Sequence, residues 1–197
     1  MKALILVDLQ NDFCPGGALP VREGHHIVPL INGIHDKYDL VVATQDWHPK
    51  DHGSFATAHN KKPGEKILLN GIEQILWPDH CVQDTKGAEF IKTLEVKHID
   101  KVFQKGTEKH IDSYSGFFDN GRKKDTGLGK YLKDKGVLDV HIVGLATDYC
   151  VKHTALDAVT LGFRTAVITD LCRGVDVVPG DIENAINAMR DAGIRIL

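Results

Sequence analysis

The stretch Asp139-Val140-His141-Ile142-Val143-Gly144-Leu145-Ala146-Thr147-Asp148-Tyr149-Cys150 decides how this chain is read. An apolar run, residues 140–143, reads as a strand. It ends in a turn of small residues, Gly144-Leu145-Ala146, and a helical pattern then begins with a cysteine in its first turn. Thr147 is the expected N-cap, because its hydroxyl can accept one of the N–H groups that a helix start leaves unpaired. Cys150 then sits at about the third helical position, where the positive end of the helix dipole favours thiolate over thiol. The same unpaired N–H groups can hold an oxygen that becomes negative during acyl transfer. A nucleophile beside oxyanion donors describes an amidase or esterase site. The bland alternative is a buried cysteine in an ordinary helix start.

Outward from this stretch, short apolar runs alternate with helical patterns. Strands are expected at residues 3–7, 40–44, 101–103, 140–143, 165–169 and 194–197, and helices near 27–37, 88–94, 128–135, 149–161 and 179–192. Pro179 fits a first helical position, and Gly136, Gly162 and Gly193 sit where helices should stop. Such alternation implies right-handed crossovers and a three-layer α/β/α architecture, with helices on both faces of a mostly parallel sheet. Ligands bind such sheets beyond the carboxyl ends of the strands. The first strand ends at Asp8, the second at Asp46, the third leads to Lys105 and the fourth to Cys150. Four chemically useful residues therefore converge on one rim. Residues 45–85 are too long for a simple connection and carry two histidine motifs, which marks them as functional.

The 197 residues are enough for a full core and are expected to form one domain, 1–197. Hydrophobic content of 42% and charged content of 26% are ordinary for a globular protein. A net charge of −3 gives no reason to expect nucleic acid or an anionic membrane as partner. No apolar run approaches a membrane span, and the start Met1-Lys2-Ala3-Leu4-Ile5-Leu6-Val7-Asp8 reads as a buried strand, not a signal peptide. Cys14, Cys81, Cys150 and Cys172 are widely spaced and form no CxxC pair. A cytoplasmic location with free thiols is the expectation. The sequence leaves self-association as a homo-oligomer open.

Gln45-Asp46-Trp47-His48-Pro49-Lys50-Asp51-His52 places a carboxylate and an imidazole two residues apart, where an extended chain points both the same way. His80, in Trp77-Pro78-Asp79-His80-Cys81, can supply a third ligand, and His52 is a candidate fourth. Two imidazoles and a carboxylate suit one divalent zinc, iron or manganese ion. The alternative is histidines that merely hydrogen-bond in a polar loop. Cys81 reads as a small buried filler. Asp8 closes an apolar strand, a costly place for an unpaired carboxylate, and Lys105 is its natural counter-charge. The pair is either a structural ion pair or, next to Cys150, the base and cation of a cysteine hydrolase. His153 is a rival base, set back one turn further along the helix.

These motifs resemble the nicotinamidase branch of the cysteine-hydrolase, or isochorismatase-like, superfamily, over the whole chain. The matching pieces are Val7-Asp8-Leu9-Gln10-Asn11-Asp12-Phe13-Cys14-Pro15-Gly16-Gly17, Thr44-Gln45-Asp46-Trp47-His48-Pro49, Trp77-Pro78-Asp79-His80-Cys81, Phe103-Gln104-Lys105-Gly106, Tyr114-Ser115-Gly116-Phe117 and Gly144-Leu145-Ala146-Thr147-Asp148-Tyr149-Cys150. The resemblance implies an isochorismatase-like hydrolase fold with a six-stranded sheet in the order 3-2-1-4-5-6. It implies hydrolysis of nicotinamide to nicotinate and ammonia in NAD salvage, with pyrazinamide as a further substrate. Asp8, Lys105 and Cys150 match its catalytic triad, and Asp46, His48 and His80 its metal ligands. The fourth metal position varies among such enzymes, so His52, Ser54 or waters remain candidates. Phe13, Trp77 and Tyr114 match the aromatic walls around the pyridine ring, and Tyr149 the pocket residue before the nucleophile. A cis peptide is implied at Leu145–Ala146, aiming the Ala146 N–H with that of Cys150 at the oxyanion. Relatives acting on N-carbamoyl or ureido compounds generally lack the metal set. A non-catalytic metal or redox sensor is the alternative from a different class.

Overall fold

The computed structural model describes residues 1–197. Eight strands run along the chain: β1 (Lys2–Val7), β2 (Leu40–Asp46), β3 (Lys66–Leu69), β4 (Ile72–Ile75), β5 (Lys101–Lys105), β6 (Asp139–Leu145), β7 (Arg164–Arg173) and β8 (Arg195–Ile196). Six of them form one sheet in the order β5-β2-β1-β6-β7-β8, every neighbouring pair parallel. Counting those six alone, this is the order 3-2-1-4-5-6. Four α-helices accompany them: α1 (Val28–Asn32), α2 (Leu128–Asp134), α3 (Lys152–Thr160) and α4 (Asp181–Asp191).

A parallel sheet covered on both faces demands strands that are apolar on both sides. The central strand β1 satisfies this residue by residue. Ala3, Ile5 and Val7 pack on one face with Leu128, Leu132, Ala155 and Met189 from α2, α3 and α4. Leu4 and Leu6 face the opposite side with Val28 and Ile31 of α1 and with Leu9, Phe13, Ile91 and Leu94 from loops. Truncating Ile5 to alanine in such a core costs about 2–5 kcal/mol. The centre of the sheet is thereby rigid, and its carboxyl rim is a firm base for the residues that follow each strand.

Gly144 is required where β6 runs beside β1. Its φ is +121°, and a Cβ there would collide with the Val7 carbonyl oxygen. The β6–β7 register also shifts between Ile142 and Gly144, so the regular ladder breaks just before the nucleophile turn.

Four sequence expectations need correction. Residues 27–37 do not form one helix: α1 has five residues, between 3-10 turns at Gly24–Ile27 and His35–Lys37. Residues 88–94 form no α-helix: Ala88 closes a short 3-10 turn, Lys86–Ala88, and 89–94 are not helical. Ala88, Ile91 and Leu94 do face the core at helical spacing, but the Ile91 N–H donates to the Leu9 carbonyl and the Glu89 carbonyl accepts from Asn11. Pairing with the segment after β1 has displaced the intrahelical bonds. Pro179 lies outside α4, whose N-cap is Gly180. Residues 45–85 contain a hairpin, β3–β4, whose strands are only four residues each and are joined at Asn70-Gly71. Asn-Gly is a strong hairpin signal, and here it was the cue to read.

Candidate active site

Lys105 is the last residue of β5, and its side chain is completely buried. An ammonium in that position survives only if anions surround it. Its Nζ lies 2.9 Å from Asp8 Oδ2 and 2.5 Å from Asp46 Oδ1, and donates to the Ser113 carbonyl at 2.9 Å. It also donates to Cys150 Sγ at 3.4 Å. Burial opposes the charge, but Asp46, Asp8 and Cys150 outweigh it and hold the Lys105 pKa well above the ordinary lysine range.

Asp8 follows β1 directly. Thr44 donates to its Oδ1 at 2.6 Å, whereas Oδ2 has only the Lys105 ion-pair contact, which is not aligned as a hydrogen bond. Burial raises the Asp8 pKa to about 6; Lys105 opposes this and the neighbouring Asp46 adds to it. A fully buried carboxylate with one unsatisfied oxygen and a pKa near neutrality is equipped to take and return a proton. Cys150 Sγ, one carboxylate oxygen of Asp8 and one of Asp46 lie within 4.8 Å of one another, which puts the sulfur beside the Asp8 carboxylate.

Cys150 differs from expectation in two respects. The turn that carries it, Thr147–Val151, is a single π-helical turn with Ala146 as N-cap, and Thr147 makes no side-chain cap. Burial, with the carboxylates of Asp8 and Asp46, lifts the Cys150 pKa well above the ordinary thiol range despite Lys105. The helix-start argument alone predicted a resting thiolate. Desolvation wins instead, so the thiol holds its proton until a base takes it. The peptide Leu145–Ala146 is cis. The Ala146 carbonyl accepts the N–H groups of Tyr149 and Val151, while its own N–H goes to no loop or turn acceptor.

Beside this cluster, Asp46 Oδ2 faces His48 Nε2 at 3.6 Å and His80 Nε2 at 3.9 Å. Each ring's Nδ1 is committed elsewhere, His48 to the Gly106 carbonyl at 2.8 Å and His80 to the Pro78 carbonyl at 2.7 Å. Those bonds make each Nδ1 the donor and turn both Nε2 atoms toward the carboxylate, the orientation a metal-binding histidine needs. Asp46 is itself held ionised: burial opposes its charge, but Lys105 and His48 pull its pKa far below the carboxylate range. An N2O donor set of this kind fits one divalent ion. Gly106 has φ +64°, and a Cβ there would strike the His48 ring.

His52 does not join that set. Its Nδ1 is 2.7 Å from Ser54 Oγ and its Nε2 is 3.2 Å from the Ile111 carbonyl, so both nitrogens are occupied. Burial and the His48 charge depress its pKa to about 4, and its ring packs on His48 at 4.2 Å. His153 packs on Tyr114 with ring centroids 5.4 Å apart, burial lowers its pKa to about 4, and the group that donates to the sulfur is Lys105. Cys81 is a buried core residue whose N–H donates to Asp12.

Cys150, Asp46 and His80 all open into one pocket of about 410 Å³, its mouth included. Phe13, Trp77, Tyr114 and Tyr149 all line it. Trp77 and Tyr149 meet edge to face at 5.0 Å, and Trp77 Nε1 donates to the Tyr114 hydroxyl at 3.1 Å. The walls therefore suit a small flat ring. Sequence reasoning missed Leu19, Asp112 and Val175, which also line the pocket, and Thr44 and Ser113, which hold Asp8 and Lys105. Only Thr44 carried a signal, two residues before Asp46 and thus on the same side of β2.

A six-stranded parallel sheet with this rim places the chain in a definite class: it belongs to the isochorismatase domain family, whose sequence profile matches residues 2–197. Within that class it is 50% identical over 196 residues to the nicotinamidase of Escherichia coli strain K12, across 98% of this chain and 92% of that protein. The structure matches the nicotinamidase and pyrazinamidase of Acinetobacter baumanii with a TM-score of 0.96 and 46% identity, covering 100% of this chain and 95% of that one. A pyrazinamidase of Pyrococcus horikoshii in complex with zinc matches with a TM-score of 0.81 and 40% identity, covering 100% of this chain and 98% of that one.

Proposed function

We infer that this chain is a nicotinamidase that hydrolyses nicotinamide to nicotinate and ammonia through a thioester on Cys150, and that pyrazinamide, close in shape, is also a substrate. The observation that carries this reading is the buried Asp8 carboxylate and Lys105 ammonium gathered at Cys150 Sγ, which itself lines an aromatic pocket. The names of the relatives support the substrate, and the donor set supports a metal. Asp46, His48 and His80 would hold one divalent ion (zinc, iron or manganese). When bound, that ion supplies a Lewis-acidic point to which a pyridine nitrogen can attach, fixing the ring between Phe13, Trp77 and Tyr114.

In the first half-reaction, Asp8 Oδ2 takes the Cys150 thiol proton as the sulfur attacks the carboxamide carbon and a C–S bond forms. The carbonyl oxygen becomes an oxyanion, held by the N–H groups of Ala146 and Cys150. Lys105 stays charged and stabilises the sulfur while it is anionic. The C–N bond then breaks, Asp8 gives its proton to the departing nitrogen, and ammonia leaves. In the second half, Asp8 removes a proton from an incoming water, whose oxygen attacks the thioester carbon. The C–S bond breaks, the sulfur recovers the proton from Asp8, and nicotinic acid leaves, releasing its carboxyl proton to solvent to become nicotinate.

The test is ammonia release from nicotinamide and from N-carbamoyl compounds, with and without a chelator, together with elemental analysis of untagged protein. Turnover of nicotinamide that falls on chelation is the expected result. A preference for N-carbamoyl substrates would move the chain to another amidohydrolase branch. Stoichiometric cysteine modification without turnover of any amide would make it a sensor.

A further inference from the structure

Asp148 lies two residues before the nucleophile and is 2% exposed, yet none of the steps above uses its carboxylate. Both of its oxygens are engaged with one distant segment. Oδ1 accepts the Val175 N–H at 3.0 Å and Oδ2 the Asp176 N–H at 2.8 Å. That segment is the strap between the end of β7 at Arg173 and the start of α4 at Asp181. Val175 lines the same pocket as Ala146 and Cys150. Apart from the Asp148 carboxylate, the N–H groups of Val175 and Asp176 have no acceptor.

The strap is then tied onward. Asp176 Oδ1 accepts the N–H of Gly180 at 3.1 Å and of Ile182 at 3.4 Å, which fixes the entry to α4. Gly174 has no room for a side chain: a Cβ would press on Ile182 and lie 3.0 Å from Asp148 Oδ1. The nucleophile turn, the pocket wall and the start of α4 therefore form one connected unit, joined at a single buried carboxylate. Hydrogen bonds to an ionised acceptor are the strong ones, and a buried N–H that loses its acceptor pays the full desolvation cost.

We propose that Asp148 is a positioning residue that fixes the Val175 wall of the pocket relative to Cys150, and so governs how tightly the ring is held rather than how fast the bond breaks. The kinetic arm of this proposal rests on the nicotinamidase reading; its exchange arm does not. Asp148→Asn keeps the shape but presents one N–H₂ group to an N–H donor. Its KM for nicotinamide should rise about tenfold while kcat stays within about threefold, the pattern of lost ground-state binding. Native-state amide exchange at Val175 and Asp176 should quicken by about tenfold or more, with the amides of central β1 unchanged.

Asp148→Glu keeps both acceptor oxygens on a longer arm and should recover part of the loss, and it reads the same effect if the asparagine variant does not fold. Asp176→Ala removes only the tie to α4 and should leave KM within about twofold of the parent, because both Asp148 bonds remain. Unchanged exchange at Val175 and Asp176 in Asp148→Asn would overturn the tie itself. Faster exchange with an unchanged KM, or a kcat that falls as far as KM rises, would overturn its role in substrate binding. Absence of nicotinamide turnover in the parent enzyme, with exchange behaving as expected, would sink the substrate reading and leave the tie standing.

Discussion

Two carboxylates share the Lys105 ammonium, and they behave in opposite ways. Asp46 contacts Nζ at 2.5 Å and also faces the Nε2 atoms of His48 and His80, and Lys105 and His48 hold it ionised at any physiological pH. Asp8 meets the same Nζ at 2.9 Å and accepts from the Thr44 hydroxyl, but no imidazole pairs with it and its other neighbours are Asp46 and the Cys150 thiol. Its desolvation goes largely uncompensated, and its pKa rises to about 6. The lesson is that a lysine between two buried acids does not make them equivalent. The side that also meets two imidazoles becomes a metal-type ligand, and the side without them becomes a proton carrier.

The sharpest way to break this comparison is to remove the group that only the Asp8 side serves. Cys150→Ala should lower kcat by roughly 10⁴-fold or more, with fold and metal content retained, as for other nucleophiles that act as part of a unit. Steady-state ammonia release measures it, and residual turnover near the parent level would refute covalent catalysis. Asp8→Asn should come next, lowering kcat/KM by about 10²–10⁴-fold, the range for a positioned acid-base group, with bound metal intact by elemental analysis.

The Asp46 side is probed through its support. Gly106→Ala pushes on the His48 ring, and loss of such outer support typically weakens metal binding by about 10–100-fold, which chelator competition would read. This substitution should leave the acid limb of the pH profile in place. That limb belongs to Asp8: kcat/KM should fall as pH drops through about 6, because the base becomes protonated. Stability runs the other way for this residue. Its folded pKa lies above the ordinary value of 3.8, so the native state binds the extra proton between the two values. The Asp8 contribution is therefore full below about pH 4 and is lost as pH rises through about 6. The smallest effect is expected for Thr44→Val, which removes a hydrogen bond favouring the charged form of Asp8. The acid limb should move upward, with little change in the plateau rate; a limb that stays put would mean another group controls it.

Legibility followed the kind of interaction involved. Asp8, Asp46, Lys105 and Cys150 could be named because each ends or follows a strand whose apolar pattern was plain, and a parallel sheet gathers strand ends on one rim. His52 stayed open as a fourth ligand because its spacing resembles that of one, while the Ser54 hydroxyl and the Ile111 carbonyl beside its nitrogens come from chain geometry. Residues 88–94 failed for a related reason: their apolar spacing is helical, but the bonds to Leu9 and Asn11 are non-local. The pairing of Asp148 with Val175, 27 positions away, had no local signature at all.

By itself the sequence determined the sheet, its rim and the residue types gathered there, because hydrophobic periodicity and strand-end chemistry are local properties of the chain. Only the tertiary structure decided what those residues are. Whether a carboxylate carries protons or holds a cation, and whether a thiol rests ionised, depends on burial and on charges brought in from distant strands. Desolvation and Coulomb interactions act through space, and no spacing along the chain records them.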